Sequence, residues 1–294
     1  MESDIKTTCK IYYDEGTILF CQGDLINGRK YGEWKWFYKN GNLALLINFT
    51  ADKEQGDWFE YFENGGLFYF GKKLNSEKNG EWIENYKSGN MRWKGMFQDG
   101  TVNGICNYYF ENGNIDNSIS YSNGKKDGEA IWYFENGNIK RKRNFKDGIE
   151  DGDDIDYHNN GQINWKAKHV KGQLQGEAYY FYENGQLKHK VTFVNGMEHG
   201  EWVEYYSDGH LKCYGKYVKR KLDGEWNHFY NNGQLSFRVF YLNGESEGEL
   251  ISYYTNGSIQ KKGNYKNGKK DGKWFTYLEN GQLEQTITYE NDDN

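Results

Sequence analysis

Eleven glycines stand 24 residues apart without a break: Gly32, Gly56, Gly80, Gly104, Gly128, Gly152, Gly176, Gly200, Gly224, Gly248 and Gly272. Nine residues after each stands another, from Gly41 to Gly281. An unbroken period of this length specifies an array, in which each unit exposes apolar surface that only its neighbour can cover. No segment is unique enough to enclose a catalytic site, so function is expected in a repeated surface.

Counting from each of these glycines as offset 0, offset 8 is Asn in nine of eleven units, with Ser88 and Asp208 the exceptions. Followed by glycine at offset 9, this is a turn signal between two strands. A three-residue turn with left-handed glycine pairs offset 5 with offset 11. It is expected to put offsets 3, 5, 11, 13, 15 and 17 on one core face and offsets 2, 6, 10, 12, 14 and 16 on the other. Successive hairpins are expected to join through turns such as residues 123–128.

The expected fold is all-β: an elongated repeat array of antiparallel β-hairpins in a single-layer twisted sheet, with a 24-residue period and about 11–12 units. Residues 1–31 read as a degenerate N-terminal capping repeat and residues 32–289 as eleven units in register. Residues 290–294 read as an acidic tail that guards an exposed edge. Only 36% of residues are hydrophobic, yet 18% are aromatic, so rings supply the apolar surface. Four glycines at offset 15 mark strand positions of close approach. Proline is absent, as suits a chain that commits its N–H groups to strand pairing.

The candidate partner-binding surface is an outer aromatic stripe. It comprises Trp34, Trp58, Trp82, Trp202, Trp226 and Trp274 at offset 2, with Tyr38, Phe62, Tyr86, Tyr206 and Tyr230 at offset 6. Lysines at offset 14, such as Lys94 and Lys190, are placed to cover those rings. Cys106, Ala130, Asp154 and Ala178 replace Trp in four consecutive units, which divides the stripe into patches around 34–82 and 202–274. The competing structural role is stacking of rings between neighbouring hairpins.

Other signals point away from catalysis. The six histidines occupy six different offsets, and the acidic segment 150–156 lacks a calcium-loop arrangement. That segment reads as local drift, a weak point or bend. The stretch 263–270 lacks the Ser/Thr of a phosphate-binding loop. No catalytic residue, metal or cofactor is assigned. A net charge of −6 gives no reason for nucleic acid or anionic lipid as the main partner, despite the basic run 140–143. Four scattered cysteines read as reduced thiols of a cytoplasmic protein, and the opening residues lack a secretion signal. No run is long enough for an integral membrane segment.

The strings NGKKDGEAIWYFENGNI (123–139) and NGKKDGKWFTYLENGQL (267–283) resemble the MORN repeat variant and are similar to the bacterial YwqK-family antitoxins. The resemblance covers residues 27–294 in register and 8–26 loosely. It implies an elongated β-sheet module used in scaffolding and protein contact, sometimes near membranes. The antitoxin label implies binding and neutralising a cognate toxin. Choline- and glucan-binding repeats share Gly-Trp-Tyr-Tyr units and would imply a glycan-binding aromatic ladder, but the Asn-Gly-x-x-x-Gly joints fit MORN better. The expected function is a non-enzymatic scaffold for an unidentified protein partner, with peripheral membrane contact not favoured.

Overall fold

A computed structural model describes residues 5–13 and 16–290. The expected acidic tail beyond residue 290, and residues 1–4 and 14–15 of the expected cap, lie outside the described residues. The fold is an all-β repeat array, with 26 strands among the described residues. Its described residues divide into two compact units, one running to residue 140 together with 144–149, the other comprising 141–143 and the residues from 150 on. Within each unit the strands hydrogen-bond antiparallel to their neighbours in sequence, as at Arg29–Phe37 with Leu43–Thr50 and Lys221–Phe229 with Leu235–Leu242.

Two turn chemistries alternate. At offsets 6–10 the Tyr38 carbonyl accepts the Gly41 N–H at 2.9 Å, the Tyr38 N–H donates to the Asn42 carbonyl at 2.8 Å, and Gly41 has φ +86°. This is the expected three-residue turn, and it pairs Phe37 with Leu43, offset 5 with offset 11. The Asn at offset 8 acts locally, because its side-chain oxygen accepts the N–H two residues on, at 2.9 Å from Asn42 to Asn40. The joint between hairpins is tighter than the expected six-residue turn. Only Asn123 (φ +48°) and Gly124 (φ +79°) form it, a two-residue turn with both residues left-handed. Lys125–Tyr133 is already strand, and Gly128 at φ +95° makes a bulge inside it.

The expected division of faces is corrected by a second bulge. Offset 4 pairs with offset 13, as Trp36 with Leu45, while offset 5 pairs with offset 11, so offset 12 is the extra residue. One extra residue inverts the alternation beyond it. Offsets 2, 4, 13, 15 and 17 therefore share one face, where Trp34, Trp36 and Phe49 meet at ring separations of 5.9–6.4 Å. Offsets 3, 5 and 14 share the other, where Tyr179 stacks on Phe181 and Tyr214 on Phe229. All ten tryptophans fall on the first, hereafter the tryptophan face: six at offset 2, and Trp36, Trp93, Trp132 and Trp165 at offsets 4 or 13.

Candidate interaction row on the tryptophan face

The residues expected to form an exposed stripe mostly hold the array together. Trp34, Trp82, Trp226 and Trp274 are buried, with Trp82 fully so, and Trp58 and Trp202 are half-buried. Four of these rings lie flat over a glycine of the preceding strand. A Cβ on Gly23, Gly71, Gly215 or Gly263 would stand 2.2–2.3 Å from the indole of Trp34, Trp82, Trp226 or Trp274. Each of the four donates its Nε1–H to a backbone carbonyl, Trp82 to Lys72 at 3.1 Å. Where Ile47 replaces the glycine, Trp58 sits opposite it and its buried Nε1 finds no acceptor. Rings so enclosed present little free face at Trp34, Trp82, Trp226 and Trp274.

The offset 6 residues are also structural. Tyr38, Tyr86, Tyr206 and Tyr230 donate their hydroxyls to the carbonyls of Tyr61, Tyr109, Phe229 and Tyr253, at 2.7–2.8 Å. Each bond ties one repeat to the next. His158 takes the same role with Phe181 at 3.1 Å, whereas Phe62 has no hydroxyl to offer. The offset 14 lysines are on the opposite face: Lys94 pairs with Glu81 at 3.5 Å and Lys190 with Glu177 at 3.3 Å. The rings are covered instead by Lys30, Lys78 and Lys270, two residues before each offset 0 glycine, at 4.7–5.3 Å from the ring centroids.

With the periodic positions accounted for, the positions that change from repeat to repeat stand out. Offsets 4 and 13 pair directly and form a row down the middle of the tryptophan face. In the first unit the row runs Trp36, Leu45, Glu60, Tyr69, Glu84, Trp93, Tyr108, Asn117, Trp132. In the second it runs Asp156, Trp165, Tyr180, His189, Glu204, Cys213, His228, Phe237 and on through Ser252 and Lys261. Position-by-position counting passes over these residues because they have no consensus. Only the register shows that they are contiguous.

The row is rich in rings, with carboxylates set among them at Glu60, Glu84, Asp156 and Glu204. Trp165, Tyr180, His189 and the adjoining Trp202 form a continuous stack with ring separations of 4.0–4.5 Å. Burial pushes His189 down to about 4, so its imidazole is neutral at pH 7. Burial, helped by Glu84 and Glu60, pushes Tyr69 up to about 12. Burial pushes Cys213 up to about 11, reinforced by Glu204, which keeps the thiol unreactive. In the first unit Asn117 Oδ1 is buried without a hydrogen-bond partner within the chain, and Trp93 Nε1 is buried on a nearby member of the row. Tyr108 between them is 37% exposed.

The acidic segment 150–156 is explained by arginines of its own unit. Arg143 pairs with Glu150, and its Nε lies 3.0 Å from Asp154; His169 lies 3.2 Å from Glu150, and Arg141 forks onto Asp156 through two nitrogens. A charged cluster thus replaces rings on this stretch of the face. No group of three or more His, Cys, Asp or Glu residues able to hold a metal occurs among the described residues, and no helix long and apolar enough to cross a membrane occurs among them.

Fold and row together define a β-hairpin repeat scaffold. The model of the MORN repeat variant matches residues 30–51, 102–123, 126–147, 174–195, 198–219, 222–243, 246–267 and 270–291, well over half of the chain, and the chain belongs to that family. The matches pass over 54–75 and 78–99, which hold Glu60, Tyr69, Glu84 and Trp93, and over 150–171, which holds Glu150, Asp154, Asp156 and His169 of the charged cluster. No curated protein matches. Solved structures with similarity include a crystal structure of TcdB2-TccC3, at 13% identity over 98% of this chain and 19% of that chain, with a TM-score of 0.20. Another is the Photorhabdus luminescens Tc holotoxin pore, at 12% identity over 96% of this chain and 18% of that chain, with a TM-score of 0.16. The chain spans about a fifth of the length of these chains.

Proposed function

We propose that the chain is a non-enzymatic platform that binds a partner protein through the central row of its tryptophan face. One observation carries this reading: within each unit, residues without consensus are lined up on the tryptophan face by a frame of repeated glycines, turn asparagines and rings. Repeat proteins gain specificity in this way, since the frame fixes geometry while the variable line is free to differ. The opposite face is a weaker candidate, because its basic side chains are spent on acids at offset 1, as in Glu33–Lys35 and Arg238–Glu249. Those pairs also speak against nucleic acid. Four free cysteines, three of them buried, fit a reducing cytoplasm.

The antitoxin role suggested by resemblance is the narrower form of this reading, with a toxin as the partner. The test places a photo-crosslinking residue at Tyr108, in the row, and separately at Asn107, on the opposite face. Adducts with a single host protein from position 108, and none from 107, are expected. Adducts from 107 alone would reverse the assignment of faces to function.

A further inference from the structure

The row contains four carboxylates at offset 4, and three have a cation supplied by the chain. Asp156 receives the Arg141 guanidinium, which comes from offset 13 of the preceding repeat. Glu84 pairs with Arg92 at 2.8 Å and Glu204 with Lys212 at 2.8 Å, both from offset 12 of the same repeat. Glu60 is the fourth. The two positions that would supply its cation hold Leu45, directly across the strand pair, and Phe68. The cations nearby are committed elsewhere: Lys73 to Glu54, Lys78 to the Tyr69 hydroxyl at 2.7 Å, and Lys30 to the rings of Trp34, Trp36 and Phe49.

We infer that Glu60 is a socket for an arginine side chain presented by the partner protein. The site has the parts that guanidinium recognition needs. Its carboxylate is half-buried, and burial alone raises its pKa, the mark of a charge held without a counterion. Tyr69, the cross-strand partner of Glu60, and Trp58, two residues earlier on the same strand and face, are aromatic neighbours whose rings meet edge to face with centroids 5.8 Å apart. A guanidinium can fork onto a carboxylate while stacking on a ring, which the compact ammonium of lysine does less well. The Arg141–Asp156 pair shows that this row accepts that geometry. An incoming arginine would complete at Glu60 what the chain completes for itself at Asp156.

This inference rests on the row being the binding surface, and its test is independent of the partner. The probe is the blocked peptide acetyl-Gly-Arg-Gly-amide, titrated into the full chain while indole and tyrosine ring resonances are followed by NMR. Saturable shifts at Trp58 and Tyr69 are expected, with the citrulline peptide at least tenfold weaker. Glu60→Gln is expected to weaken arginine binding at least fivefold while the chain stays folded. Leu45→Arg, which imitates Arg141, is expected to abolish peptide binding by filling the socket from within, and to raise the melting temperature. Equal binding by Glu60→Gln, or by the citrulline peptide, would overturn the inference, as would unsaturable shifts in the wild type. Peptide binding at Glu60 with crosslinks only from Asn107 would instead sink the broader proposal and leave the socket standing.

Discussion

Gly71 and Trp82 behave as one packing unit. The ring occupies the space a side chain would take, so residue volume is conserved across the strand pair rather than at either position. Ala167 faces Ala178, and a Cβ added to Gly95 would stand 2.6 Å from the sulfur of Cys106. Glycine at offset 15 is legible in the sequence as a place of close approach. Its partner is not, because the tryptophan lies eleven residues on, across a strand pair. Gly71→Ala is expected to cost about 1–3 kcal/mol from overpacking, and about 1 kcal/mol more if the Trp82 hydrogen bond breaks. Adding Trp82→Ala should recover part of the overpacking cost, because alanine fits against alanine. Urea denaturation of the two single variants and the double variant measures this coupling; simple additivity would refute the pairing.

His189 gives a pH signature at the same scale. Its imidazole titrates near 6.5 when unfolded and near 4 when folded. Between these values the unfolded chain binds a proton that the folded chain refuses, so stability should be whole above pH 6.5 and fall as pH drops toward 4. His189→Phe keeps a ring in the stack and should flatten that part of the urea-midpoint profile relative to wild type; an unchanged difference across the range would contradict the assignment.

At the scale of the hairpin, the Asn-Gly signal marks two different turns. Beside offset 8 only the glycine is left-handed, whereas at the joints both residues are, as with Asn243 and Gly244. The three-residue turn and the pairing of offsets 5 and 11 were legible because each is a local matter of turn chemistry. The bulge at offset 12 was illegible because no special residue marks it: Ala44, Phe68, Arg92 and Lys212 all stand there. That silent residue inverts the faces that strict alternation would give. The joint at Lys219 (φ +48°) and Arg220 (φ +68°) holds two side chains in a conformation that favours Asn and Gly. Replacing them together, Lys219→Asn with Arg220→Gly, should stabilise the chain by about 1 kcal/mol. The contacts Arg220 makes to Glu198 and the Gly196 carbonyl are exposed and offset little of this. A raised urea midpoint with unchanged slope would agree; a lowered midpoint would not.

At the scale of the molecule, periodicity and function separate. The positions that repeat hold the structure: glycines make bulges and turns, asparagine closes the loop, tyrosine hydroxyls link repeats, and tryptophan covers glycine. The architecture was therefore open to counting. Glu60, Tyr108, His228 and their neighbours were not, because a row assembled from dissimilar residues has no pattern until strand register aligns it. Hydroxyl-radical footprinting read by mass spectrometry tests this division most directly, since it ranks the ten tryptophans by access to solvent in the free protein. Trp36, Trp93, Trp132 and Trp165, in the row, should oxidise faster than Trp34, Trp82, Trp226 and Trp274, which are buried. Equal rates for the two groups, or faster oxidation at offset 2, would contradict the assignment of frame and row.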